Sequence, residues 1–364
     1  MRSAMAEGKD SAARPKRGRL PAGILLLASV LLASAAAQTA AVRGPVSGVV
    51  YDGAERAVRP VIGVPGAAYL GPPIAAEIDF AGIAPSGQSA VVLAAGALYF
   101  VRGLQGGEPR WRALEQRSSA GLAAWSPDSG TVAVWSAEGG RLRAWRGLTG
   151  RVAAASHRGT RGSRSRSAGR TGPGTPRLED FGFVDGSVAA LAVDGRGRVL
   201  YAVPGGLYLA RSGGPASLIA PLEDPAAIAV AEAGLFVADR ARGEVLEVRG
   251  YATSPDIRLF AGPGRGIEDP AGLAVIEGGR TLVIAEARPR RLKFYDIETR
   301  AQTGELEVPI PPGRLSPLGE RFLLLNQRSA AGETLYVLDS AGAPAVYFIP
   351  AGAAVDAPAA SVED

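Results

Sequence analysis

The sequence predicts an all-β chain, a β-propeller of four-stranded antiparallel blades, seven in number with six as the alternative. Three observations predict it. Residues 225–296 contain the same unit twice at an offset of 45 to 47 residues, with Pro225 falling on Pro270, Ile228 on Leu273 and Leu235 on Leu282. Self-similarity at that period, in short apolar runs, marks propeller blades. The runs have strand length, are rich in Val, Ile and Leu, and stop at Pro or Gly, which favours buried strands over helices. The chain also holds 49 Gly and 27 Pro, enough to punctuate many turns.

Within one unit, Ala227-Ile-Ala-Val230 and Leu235-Phe-Val-Ala238 face each other across a Gly-containing turn and read as a hairpin. Val245-Leu-Glu-Val248 alternates apolar and polar residues, as a half-exposed strand does. A fourth run, from Ile257 to Phe260, closes the unit. The second unit repeats this with runs at 282–286, 292–295 and 304–308. One such sheet cannot bury both of its faces, so the units must stack in a ring.

The chain opens on a targeting segment. Six basic and two acidic side chains precede an apolar core from Gly23 to Leu32, and Ala35-Ala-Ala37 then supplies small residues. This is the pattern of a secretory signal peptide over residues 1–37, with Met5 an alternative start and an uncleaved anchor the alternative reading. The apolar run is short for a membrane span. Removing this segment takes away +4 of the +5 formal charge. Residues 156–177 then hold six Arg and no acid, so the rest of the mature chain is acidic, at about −5. Nucleic-acid binding by the ring is disfavoured on that balance. An exported, periplasmic or secreted monomer follows. With no Cys it relies on its core rather than on disulfides.

Further blades follow in order over a linker at 38–45 and a propeller at 46–350. A hairpin is expected within residues 44–70, and complete units at 78–114, 122–155, 188–222 and 315–350 beside the two at 225–260 and 270–308. The first hairpin either completes a blade or adds to a neighbour's edge, and pairing of the first and last segments would remove exposed edges. Ser126-Pro-Asp-Ser-Gly130 is a turn in which Pro127 presets φ and Asp128 bonds its own backbone. Residues 156–177, rich in Arg, Ser and Gly, are expected to form a disordered loop between blades, whose Arg158, Arg161 and Arg164 could meet an anionic glycan or headgroup. Residues 351–364 read as a flexible tail.

The pattern Pro270-Ala-Gly-Leu-Ala-Val275, then Leu235-Phe-Val-Ala-Asp239, then an Arg-rich turn and Val245-Leu-Glu-Val248, resembles the NHL repeat and YVTN-like propellers. The resemblance covers residues 225–248 and 270–296 well and 188–209 more loosely. It implies a propeller and leaves the activity open.

The single His157 lies in the insert and there is no Cys, so Ser-His-Asp and Cys-His catalysis and His-ligated zinc are excluded. Acids remain. Asp239 and Glu286 occupy equivalent positions and Asp194 ends a strand of the preceding unit. Meeting at a mouth of the ring, they could hold Ca²⁺; standing apart, each would cap a turn. Trp125, Trp135 and Trp145 recur every ten residues and could stack on a sugar or grip a partner, or could fill the wedges between blades. Two functions fit: a non-catalytic exported scaffold that binds a protein or a polysaccharide and needs no cofactor, or a calcium-dependent hydrolase or lyase such as a lactonase. The six-bladed enzymes that the NHL-like units resemble hold metal with Asn or His beside acids. Here Asn326 is the only Asn.

Overall fold

The computed structural model describes residues 45–350 apart from 65, 107, 150–174 and 320. Segments 1–37 and 351–364, and Arg158, Arg161 and Arg164, lie outside them. Among the described residues twenty-seven strands make seven antiparallel sheets. Blade one holds β1 (Val46–Asp52), β2 (Ala57–Ile62) and β3 (Tyr69–Leu70). Blade two holds β4 (Ile78–Ile83), β5 (Ser89–Ala94), β6 (Ala97–Arg102) and β7 (Arg110–Glu115). Blade three holds β8 (Leu122–Trp125), β9 (Thr131–Trp135), β10 (Arg141–Arg146) and β11 (Arg177–Phe183). Blade four holds β12 (Ala190–Val193), β13 (Val199–Val203), β14 (Gly206–Leu209) and β15 (Ser217–Ala220). Blades five and six follow as β16 (Pro225–Ala231), β17 (Gly234–Asp239), β18 (Glu244–Arg249) and β19 (Asp256–Ala261), then β20 (Pro270–Ile276), β21 (Thr281–Glu286), β22 (Arg291–Asp296) and β23 (Gln302–Glu307). Blade seven holds β24 (Ser316–Leu318), β25 (Phe322–Leu324), β26 (Leu335–Asp339) and β27 (Ala345–Ile349).

Seven apolar clusters, one at each junction, turn these sheets into a closed ring. Val49 and Val58 pack on Ile78 and Val92 between blades one and two. Val91 and Phe100 meet Val132 and Trp145, and Trp135 and Leu142 meet Leu191 and Val199. Leu200 and Leu207 meet Leu235 and Val237, and Phe236 and Phe260 meet Leu282 and Tyr295. Val283 and Leu292 meet Leu323 and Leu338, and Leu318 and Val337 return to Val50 and Val61. In blades two to six the second strand is buried almost throughout, so its centre is apolar, as in Leu282-Val-Ile-Ala285. Outer strands such as β23 are exposed and polar.

Two boundaries differ from the sequence reading. Blade three does not end at residue 155: its outer strand is β11, paired with β10 from Arg146↔Arg177 to Arg141↔Phe183. The Arg-rich insert therefore interrupts a blade instead of separating two, and Arg177 belongs to a strand. The composition break hid a strand that carries its own acids, Glu179 and Asp180, for the arginines of β10: Glu179 accepts from Arg146 Nε at 2.5 Å, and Asp180 pairs with Arg141.

The second difference lies in blade one, which has three strands. Asp52 to Val58 has the spacing of Asp239 to Val245 and of Glu286 to Leu292. Val49 and Val58 face the next blade as Phe236 and Val245 do, and Val50 and Val61 face the previous blade as Val237 and Val248 do. By this correspondence β1, β2 and β3 are second, third and outer strands, and the innermost position has no strand among the described residues. Among the described residues no strand of blade seven shares a sheet with blade one. Gly53 N donates to Arg328 O at 3.0 Å, and the Arg328 guanidinium pairs with the Asp52 carboxylate.

Candidate functional site

Loops joining second to third strands, and loops carrying the chain from an outer strand to the next inner strand, share one face of the ring, here termed the entry face. Asp239 ends β17 on that face and is fully buried. It accepts Glu223 N–H at 2.9 Å and Asp224 N–H at 3.1 Å, with Arg242 Nε 3.8 Å away. Glu286 ends β21 in the same way. It accepts Glu268 N–H at 2.7 Å and Arg291 Nε at 2.7 Å, with Lys293 Nζ at 3.8 Å. Each acid binds the segment that enters its own inner strand. That satisfies backbone donors which the sheet leaves over.

Asp194 lies at the other end of the ring, in the β12–β13 turn, so the three acids do not converge. Asp194 accepts Arg196 N–H at 2.9 Å, Arg198 N–H at 2.7 Å and Tyr251 Oη–H at 2.7 Å. Among the described residues no group of three or more His, Cys, Asp or Glu is placed to hold a metal. Burial pushes the Asp194 carboxyl upward, but the bonds from Tyr251 and Arg198 outweigh it and hold the group below the ordinary carboxylate range. Burial first, then the bond to Asp194, pushes the Tyr251 phenol up to about 12.

This linkage has a definite sign. Tyr251 keeps its proton in the folded chain while the unfolded phenol loses it near the ordinary value of 10. Its contribution is complete below that value and is lost as pH rises towards 12. Melts in this alkaline window are expected to fall less steeply for Tyr251→Phe than for wild type. A phenolate titration in which no tyrosine ionises later than the others would overturn this.

Between Asp239 and Glu286 runs a charged bridge. Asp269 precedes β20 and accepts Arg240 Nε at 3.0 Å and Arg288 Nε at 3.1 Å, one arginine from each of blades five and six. Burial alone would raise this carboxyl, and the two guanidiniums hold it below the ordinary range. Gly272 stands beside the chain that enters blade seven: a Cβ there would lie 2.2 Å from Gly313 O. That close approach sets the neighbouring Arg314. Its Nη2 donates to Ala189 O at 3.2 Å. Arg314 precedes the inner strand of blade seven and Ala189 that of blade four. The two positions are three blades apart in a ring of seven, so the side chain reaches across the central opening. Burial lowers its guanidinium below the ordinary arginine value, and among the described residues no carboxylate pairs with it. Nothing in sequence spacing marks this arginine, because its partner lies 125 residues away.

The tryptophans take other places. Trp145 and Trp135 are buried at the junctions of blade three with blades two and four, and Trp125 donates Nε1–H to Gly82 O at 3.0 Å. Several apolar side chains on outer strands do meet solvent: Phe183 at 74%, Phe348 at 63% and Leu259 at 52% exposed. Short runs such as Arg177–Phe183 are too polar overall to have marked them beforehand.

No protein-family model matches the chain, and no curated protein matches it by sequence. Solved structures are similar to it in fold. A functionally unknown protein from Desulfotomaculum acetoxidans is similar with a TM-score of 0.54 at 13% identity, over 82% of this chain and 94% of that one. A chain of the nidogen/laminin complex reaches 0.45 at 11% identity, over 71% and 92%, and Hsv2 of Kluyveromyces lactis 0.46 at 10%, over 72% and 74%. Identities this low speak for the fold alone. The Desulfotomaculum structure supports it.

Proposed function

We propose that this protein is an exported, non-catalytic binding scaffold of NHL-like type whose entry face receives an acidic group of a protein or polysaccharide partner. One observation carries the reading: Arg314 reaches across the central opening, half-buried, and among the described residues a single carbonyl is its partner. A cation held in a half-dry mouth attracts an incoming anion more strongly than one in open water. Asp239, Glu286 and Asp269 hold the surrounding loops in place and are consumed in doing so, which suits a preformed surface. Export rests on the charged, apolar and small-residue order of residues 1–37. Among the described residues no helix is long and apolar enough to cross a membrane.

Titration calorimetry with an oligouronate and with a polyglutamate peptide tests the site. At least one probe is expected to bind wild type and to lose about tenfold or more in affinity for Arg314→Glu, as one close charge pair in a partly dry site implies. Equal binding by the variant, or no binding of either probe to wild type, would overturn the reading. Mass spectrometry of the exported chain is expected to show Gln38 at the N-terminus; a retained Met1 or Met5 would refute export by cleavage.

A further inference from the structure

The outer strands of blades three, five and six carry charge in pairs. Glu179 and Asp180 of β11 bind the arginines of β10, Arg258 Nη2 of β19 lies 2.7 Å from Asp256 Oδ2, and Glu305 of β23 lies 3.3 Å from Arg291 Nη1. Blade two departs from this. Its outer strand β7 begins Arg110-Trp111-Arg112, and the acid of that strand, Glu115, is taken by Arg143 of blade three. The register sets Arg110 directly opposite Arg102 and Arg112 directly opposite Phe100. Side chains opposite one another share a face of the sheet, so three guanidiniums stand together on the side that turns to blade three. Among the described residues no carboxylate lies within ion-pair distance of any of the three.

Like charges set directly opposite each other destabilise a sheet. Arg102 lies over the Phe100 ring at 4.9 Å, which offsets part of that repulsion. Burial first, and then Arg112, lowers the Arg102 guanidinium below the ordinary arginine value. An acid brought against this face removes the repulsion. Trp111 points to the other face, 41% exposed and edge-on to Tyr99 at 5.6 Å. Arg110, Trp111, Arg112 and Ala113 are all exposed, and β7 is the terminal strand of its sheet. Such a strand offers backbone N–H and C=O groups to a further strand. Arg110 and Arg112 are two residues apart, about 6.8 Å, which is the repeat of alternate side chains on an added strand.

We propose that β7 receives an extended acidic segment of a partner protein as a fifth strand of blade two, with acidic side chains against Arg110 and Arg112 and an apolar side chain between them against Trp111. The acid-apolar-acid order follows from the strand period of two, which sends neighbouring side chains to opposite faces. A peptide fits this surface better than a polysaccharide, which brings anions but cannot continue a backbone ladder. Arg102 ends the third strand of its blade, so the surface lies towards the end of the ring opposite the entry face and is separate from Arg314.

A short labelled peptide of alternating Glu and Val, titrated with the full chain and followed by fluorescence anisotropy, tests this. It is expected to bind wild type, to lose about tenfold or more in affinity for Arg112→Glu, and to bind Arg258→Glu, on β19, as it binds wild type. Both arginines are exposed, so the two variants are expected to melt with wild type. Hydrogen exchange in β7 is expected to slow when the peptide is bound, which contact through side chains alone would not cause. No binding to wild type, equal binding by Arg112→Glu, or unchanged exchange in β7 would overturn the proposal. So would equal binding of an oligouronate, or of a peptide with the same residues in two blocks, since the arginines would then be a patch for any polyanion. Loss of binding in Arg314→Glu but not in Arg112→Glu would also overturn it, by placing the peptide at the entry face.

Discussion

Arg328→Ala is expected to lower stability by about 3–5 kcal/mol, the range found when one partner of a buried ion pair is removed. Asp52 is fully buried and Arg328 is 3% exposed. The change leaves the Asp52 carboxylate with Arg59 Nη1 at 3.3 Å and Glu55 N–H at 3.3 Å as its remaining partners. The pair also joins the first blade to the last, so its loss weakens the junction that closes the ring. Among the described residues the Arg328 Nε has no partner, which makes the charge itself a costly way to fill the space. Asp52→Ala combined with Arg328→Met should therefore lose less than Arg328→Ala alone. Urea unfolding measures all of this. A loss under about 1 kcal/mol for Arg328→Ala would show that water reaches the pair.

Phe260→Ala is expected to cost about 3–5 kcal/mol, as for other buried Phe truncations. Phe260 is 1% exposed and sits edge-on to Phe236 at 5.0 Å and to Tyr295 at 5.8 Å. The three rings come from blades five and six, so the cavity would open inside a junction rather than within a sheet. Phe348→Ala is the control. The same side chain on an outer strand at 63% exposure should change stability by no more than about 0.5 kcal/mol. Thermal melts of both variants decide it. Equal losses would mean that the junction re-packs around the gap.

Much of the ring was legible from local signals. Blades five and six followed from a repeat, and their strand order from which runs were most apolar. The hairpin at 44–70 was seen, but its correspondence to the second and third strands of a blade was not, because that rests on which neighbouring blade each residue packs against. The outer strand of blade three was missed for the opposite reason: the polar insert ends inside it, at Arg177, and Glu179 and Asp180 broke the apolar run. Reading Asp239 and Glu286 as equivalent found two buried acids that hold loops. Asp194 shared the residue type but not the strand position, and the topology carries it to the far face.

The sequence by itself determined that this chain is all-β, that it repeats in blades, and that cysteine chemistry is closed to it. Those properties depend on residue identity and on spacing of a few positions, which a strand's period of two converts directly into a buried or an exposed face. Only the tertiary structure decided which residues meet across the ring. Asp52 and Arg328 are 276 residues apart, and Ala189 and Arg314 are 125 apart. No local pattern encodes such pairs, because each is brought together by the summed rotation of all the blades between its two members.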